Sequence, residues 1–164
     1  MCAGNFSFDI TSEVDLNELD NAINMAMKEI NNRFDFKGSV SKISRSNKEI
    51  EIISDDEMKL RNVKGILEGK MIKRDISPRF LDYQKSENSL GGNFRQIVLI
   101  KQGISKEKAK ELNQFIKKSK LKVNTQINDD KIKVVSPKKD ILQQAIQKLK
   151  NEDFGIELHF GNFR

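Results

Sequence analysis

Cysteine and histidine are nearly missing from this chain, and long apolar runs are missing altogether. Cys2 is the single cysteine among 164 residues and His159 the single histidine. No internal disulfide and no cysteine-based zinc cluster can be built from such a set. No stretch approaches the ~20 apolar residues that would span a membrane, and no charged-then-apolar leader opens the chain. These absences predict a soluble intracellular protein with no bound metal and no membrane partner.

Catalytic signatures are equally thin. His159 alternates with Leu158 and Phe160 and is expected on the polar side of a closing strand, with no Ser, Cys or metal-ligand cluster around it. Carboxylates are plentiful, but no spacing singles out an acid/base pair. Gly65-Ile66-Leu67-Glu68-Gly69-Lys70-Met71 looks superficially like a phosphate loop. It is one residue short, lacks the final Ser/Thr and lies in a helical pattern. Asp153-Phe154-Gly155 spells a kinase tripeptide without any other kinase element. No catalytic residue and no cofactor is expected, and the chain reads as a binding protein rather than an enzyme.

What the chain does have is a hairpin, and it has it twice. From Ser119 to Ser136, Leu121, Val123, Thr125 and Ile127 alternate with Lys122, Asn124, Gln126 and Asn128, the period of a half-buried strand. A two-residue turn at Asp129-Asp130 would set Ile127 opposite Ile132, Thr125 opposite Val134, Gln126 opposite Lys133 and Asn128 opposite Lys131. At an offset of 82, Ile50, Ile52 and Ser54 fall on Ile132, Val134 and Ser136, and Leu60, Val63, Leu67 and Ile76 on Leu142, Ala145, Leu149 and Leu158. At an offset of 90, Ile10, Val14, Asp15 and Ala26 fall on Ile100, Ile104, Ser105 and Ile116. The pattern predicts an α+β fold made by internal duplication, each half running βαββαβ, with domains over 1–92 and 93–164 and a boundary in the polar stretch Gln84–Gly92.

Within each half the elements follow from local signals. Phe6–Thr11 alternates as a strand, Asp15 and Glu18 have capping-box spacing, and Leu19, Ala22, Ile23, Ala26 and Ile30 make a helical stripe. In the first hairpin, Ile43 is expected opposite Ile50 and Lys42 opposite Glu51. Asp55 or Asp56 should cap the next helix, and Arg74–Leu81 reads as a strand interrupted by Pro78. Ile97-Val98-Leu99-Ile100 suits a strand covered on both faces, Gly103 a turn, Ser105 a cap, and Ile156–Phe160 the last strand. Arg33-Phe34-Asp35-Phe36-Lys37 fits a short strand or a binding loop, with both phenylalanines anchored in the core.

Charge divides the halves. Residues 1–92 hold 14 Lys/Arg against 16 Asp/Glu, and residues 93–164 hold 16 against 8. With helices on one side of each sheet, the other face would carry Glu49 and Glu51 in the first half. In the second it would carry Lys131 and Lys133 beside Lys122, Asn124 and Gln126, a set suited to phosphates and base edges. It lacks the outward aromatics with which RNA-recognition motifs stack bases.

Ser7-Phe8-Asp9-Ile10, Ser12-Glu13-Val14-Asp15-Leu16, Arg33-Phe34-Asp35-Phe36-Lys37, Lys101-Gln102-Gly103-Ile104, Ser119-Lys120-Leu121-Lys122-Val123 and the terminal Asn162-Phe163-Arg164 together resemble the bacterial YajQ family of nucleotide-binding proteins. The resemblance implies a cytoplasmic protein of two ferredoxin-like domains that exchange their first strands, Phe6–Thr11 joining the second sheet and 93–102 the first. It also implies nucleotide or RNA binding, with cyclic di-GMP and a transcription regulator among the expected partners, and carries over no catalytic residue. The expected function is non-enzymatic binding of GTP, cyclic di-GMP or RNA such as tRNA. Lys122, Asn124, Gln126, Lys131 and Lys133 are the first candidates for contact; Arg33, Asp35, Lys37, Asn162, Phe163 and Arg164 come next. The alternatives are an adaptor that binds a transcription regulator and an enzyme whose site assembles between domains.

Overall fold

The structure is a computed structural model that describes residues 5–164, so Cys2 lies outside the described residues. Two compact units emerge, one of Val14–Lys101 and one of Gln102–Arg164 together with the chain up to Glu13. The chain opens with β1 (Phe6–Thr11), which finds no partner in the residues that immediately follow it.

The Val14–Lys101 unit continues with α1 (Leu16–Asn32), β2 (Lys42–Ser46), β3 (Glu49–Ser54), α2 (Glu57–Lys73), β4 (Leu81–Tyr83), the two-residue β5 (Glu87–Asn88) and β6 (Phe94–Ile100). Its antiparallel sheet has the order β2-β3-β6-β4, with β5 also on β6. Asp15 starts α1 by accepting from the backbone N–H groups of Asn17 and Glu18. Glu18 does not close a capping box; its carboxylate reaches Asn21 and Arg74 instead. Asp56 caps α2 through the Lys59 N–H, 2.8 Å away. The stripe Leu19, Ala22, Ile23, Ala26 and Ile30 of α1 and the stripe Leu60, Val63, Leu67 and Met71 of α2 are buried against Ile43, Ile50, Ile52, Val98 and Ile100 of the sheet.

The other unit comprises α3 (Lys106–Lys118), β7 (Asn124–Asn128), β8 (Lys131–Ser136), α4 (Lys139–Lys150) and β9 (His159–Gly161), and β1 completes its sheet in the order β7-β8-β1-β9. Phe8 and Ile10 of β1, Ile132 and Val134 of β8, Leu112 and Ile116 of α3, and Leu142 and Leu149 of α4 form its core. Ser105 caps α3 through the Lys108 N–H. The two strand orders are the same order once β2, β3 and β4 are matched with β7, β8 and β9, and β6 with β1. The fold is α+β with a duplicated βαββαβ arrangement; the central strand β6 lies within the contiguous Val14–Lys101 unit, whereas β1 joins its sheet from the far side of that whole unit's sequence. In each unit the helices cover one sheet face only.

Several local expectations change. The first hairpin pairs Ile43 with Ile52, Ser44 with Glu51 and Arg45 with Ile50, two residues away from the register expected above. The turn falls on Asn47-Lys48, where Asn47 takes φ 57°, a left-handed conformation that asparagine tolerates. Arg74–Leu81 is not a strand: Ser77 caps a 3-10 turn at Pro78–Phe80, and only Leu81–Tyr83 pairs. The last strand is His159–Gly161 rather than Ile156–Phe160. Leu121 and Val123 precede β7, and Ile127, one residue from the turn on an edge strand, is 46% exposed. Ile10 faces Ile132 just as Val98 faces Ile50, so the counterpart of Ile10 is Val98, not Ile100. Two extra residues separate strand from helix in the second copy, where Gly103 turns the chain at φ 85° with Asp130 close against it.

Candidate functional site

The face of the second sheet that points away from α3 and α4 is polar, and the strand registers build it. Gln126 lies opposite Lys133 and Asn128 opposite Lys131 across β7 and β8, as the sequence pattern predicts, and Asn124 lies opposite Val135. Side chains alternate along a strand, so the burial of Ile132 and Val134 turns Lys131, Lys133 and Val135 to the same side as the three amides. Lys131, Asn124, Gln126 and Asn128 are exposed and Lys133 is half-buried. Lys122 is exposed too but lies before β7 begins, and its carbonyl accepts from the Ser136 hydroxyl. Thr125 turns the other way and donates to Asn113 of α3.

The exchanged strand adds what the sequence of this half does not contain. β1 lies beside β8 with Asp9 directly opposite Lys133 and Ser7 opposite Val135. Glu13, just past the end of β1, comes within 3.9 Å of the Lys131 Nζ. Each lysine therefore has a carboxylate neighbour. Counted over the units rather than the halves, Val14–Lys101 holds 16 Lys/Arg against 14 Asp/Glu and the remainder 14 against 10. The exchange carries Arg95 and Lys101 one way and Asp9 and Glu13 the other, and the steep contrast between halves largely disappears. On the matching face of the first sheet, Arg95 binds Glu51 at 2.6 Å and Glu87 at 2.9 Å, so Glu51 is not a bare negative charge.

The remaining candidates divide. Asn162 donates to the Asp9 carboxylate at 2.8 Å, Arg164 exchanges two backbone hydrogen bonds with Ser7, and the Phe163 ring leans on Phe8 at 6.1 Å. The terminal tripeptide thus extends the pairing of β9 along β1. Arg33-Phe34-Asp35-Phe36-Lys37 is a 3-10 turn at the end of α1, not a strand. Phe36 is buried with the Arg33 guanidinium above its ring, whereas Phe34 is 89% exposed and anchors nothing. Arg33 makes two parallel bonds of 2.9 Å to Asp35, and these hold the Asp35 carboxyl below its ordinary pKa. Lys37 is exposed.

A groove that the sequence did not suggest runs along α2 beside the end of α1. It encloses about 450 Å³. Its cations are Arg33, Arg61, Lys70 and Lys73, and its one carboxylate, Glu29, is bound by Lys70 at 2.9 Å and Arg33 at 3.4 Å, the Lys70 bond foremost in lowering its pKa. Gly65 and Gly69 form the floor. Both sit inside α2, and a Cβ at either would meet nothing within 4 Å. Glycine in a helix interior costs roughly 1 kcal/mol against alanine, and at these two positions no packing or turn geometry requires it.

A duplicated α+β protein with one face of each sheet left uncovered by its helices is the class this architecture defines. The family model described as "Nucleotide-binding protein YajQ-like" matches residues 6–164. The "Nucleotide-binding protein" of Geotalea uraniireducens is 51% identical over 158 residues, covering 96% of this chain and 98% of its own. That of Carboxydothermus hydrogenoformans is 51% identical over 164 residues and covers 99% of both chains. A relative in an Exiguobacterium species is 49% identical, with 96% and 97% covered. The chain belongs to the YajQ-like family. Among the described residues no helix is long and apolar enough to cross a membrane, and no group of three or more His, Cys, Asp or Glu side chains could hold a metal.

Proposed function

We propose that this chain binds nucleotide in the form of single-stranded RNA, laid along the polar face of β7 and β8, without chemically altering it. The names of its relatives support nucleotide binding as the class. The observation that carries the RNA reading is the register that sets Gln126 beside Lys133 and Asn128 beside Lys131 on one exposed face. Two lysines about 7 Å apart on a rigid strand can each meet a phosphate, and a row of amides can pair with base edges. No aromatic side chain stands on this face of β7, β8 or β1, so affinity would rest on phosphate contacts and depend steeply on salt. GTP and cyclic di-GMP are the small ligands with the same groups. A cytoplasmic site of action follows from such ligands.

A second reading, an adaptor for a transcription regulator, draws on the matching face of the first sheet. There Leu99, opposite Glu49, is 40% exposed, and Ile97, opposite Glu51, and Ile53, opposite Arg95, are half-buried, a mixed apolar and charged surface suited to a protein partner.

Equilibrium titrations of a labelled RNA oligonucleotide, GTP and cyclic di-GMP at two salt concentrations test both readings. Lys131→Gln with Lys133→Gln should weaken RNA binding and flatten the dependence of log K on log salt by roughly 0.7 per lost contact. Unchanged RNA affinity and slope in that variant overturn the assignment. Product appearing from any of these ligands would show an enzyme.

A further inference from the structure

We propose that the groove along α2 is a second ligand site, for a small phosphorylated molecule with a flat group, and that it works independently of the β7–β8 face. Arg74 meets Glu18 and Lys70 meets Glu29, so the C-terminal end of α2 lies against α1, and Arg33, just past the end of α1, lines the groove beside Glu29. Arg61 and Lys73 stand about 18 Å apart along the helix axis, with the two glycines between them. The groove therefore has a cationic group at each end and, between them, two positions without a side chain, flanked by Asn62, Ile66 and Lys70.

Two of its four cations are not consumed by the fold. Lys70 and Arg33 share Glu29, and Arg33 also holds Asp35, but among the described residues Arg61 and Lys73 make no ion pair. Four cations around one carboxylate attract an anion, and a guanidinium also stacks on a flat ring. A volume of about 450 Å³ lies within the range of sites that enclose a small ligand. The helical glycines supply the second, independent sign. They weaken α2 and relieve no clash, and what they provide is open space on the helix face between the cations. Arg33, a weaker candidate by sequence alone, thereby acquires a place at this site, while Lys37 does not line it.

Fluorescence titration with a labelled GTP analogue, and competition by inorganic pyrophosphate, test the site on the full chain. Gly69→Leu fills the floor, and because an added Cβ meets nothing, its melting temperature should equal or exceed the parent's. It should lose at least about tenfold in affinity, and Arg61→Gln with Lys73→Gln should lose as much, consistent with removing charge-assisted contacts. Lys131→Gln with Lys133→Gln, which alters the β7–β8 face, should lose less affinity for the analogue than either groove variant. The proposal falls if Gly69→Leu folds and binds normally, if only the Lys131/Lys133 variant loses the analogue, or if the parent binds neither probe at millimolar concentration. Should Gly69→Leu not fold, the Arg61/Lys73 variant decides. RNA titrations of the same proteins separate the outcomes, since groove variants should leave RNA binding intact.

Discussion

Asn47 and Asp129 occupy the same place in two hairpins 82 residues apart, each the first residue of a two-residue turn and each in the left-handed region, at φ 57° and 51°. The preceding strands are not alike in sequence, yet the turn geometry is shared. That agreement ties the two copies together more firmly than the apolar matches, because apolar positions recur in any amphipathic strand.

The left-handed conformation costs an ordinary L-residue roughly 1 to 2 kcal/mol and costs glycine nothing. Asn47→Ala and Asp129→Ala should each lower stability by about 1 kcal/mol, while Asn47→Gly and Asp129→Gly should be neutral or mildly stabilising. Urea denaturation of the four variants checks this. An alanine variant as stable as its glycine counterpart would show that the turn relaxes to another type.

The strand exchange makes a prediction about fragments. Residues 1–92 lack β6, which pairs along six residues with β3 and also holds β4 and β5, and residues 93–164 lack β1, which lies between β8 and β9. Neither half should unfold cooperatively on its own. Residues 14–101 contain a complete sheet and both of its helices and should give a cooperative denaturation curve. Circular dichroism during a urea titration distinguishes them; a cooperative transition in the 1–92 fragment would contradict the exchange.

Tyr83 provides the pH test. Burial, and secondly the carboxylate of Glu68, to which its hydroxyl donates at 3.0 Å, push its pKa well above the ordinary value of 10.0. The native state therefore favours the neutral phenol, and its contribution is complete below the unfolded pKa. As pH rises past 10 the unfolded chain releases the proton first, and stability falls by at most about 1.4 kcal/mol per pH unit until the native phenol ionises too. Tyr83→Phe should be less stable at pH 7 by about 1 kcal/mol for the lost hydrogen bond, with the gap closing above pH 10. Parallel denaturation curves for the two proteins up to pH 11 would refute the assignment.

The sequence by itself determined the elements that depend on near neighbours. Period-2 and period-3.6 patterns located the hairpins and the helical stripes, the short polar side chains of Asp15, Asp56 and Ser105 marked the helix starts, and the register of β7 on β8 followed from matching like with like. Pro78 was visible as an interruption, but not the 3-10 turn around it. The first hairpin slipped by two residues because shifting a pair of alternating strands by two leaves every side chain on its own face, and only the left-handed residue at the turn discriminates. What tertiary structure alone decided is which central strand enters which sheet. That choice has no local signal, since β1 and β6 would each satisfy either sheet's hydrogen bonds and core face. Its consequences are electrostatic: Asp9 comes to face Lys133, Glu13 approaches Lys131 and Arg95 binds Glu51, pairings between residues at least 44 positions apart. The groove on α2 has the same origin, because glycines in a helical pattern read only as weak helix formers until the end of another helix places Arg33 and Glu29 beside the space they leave.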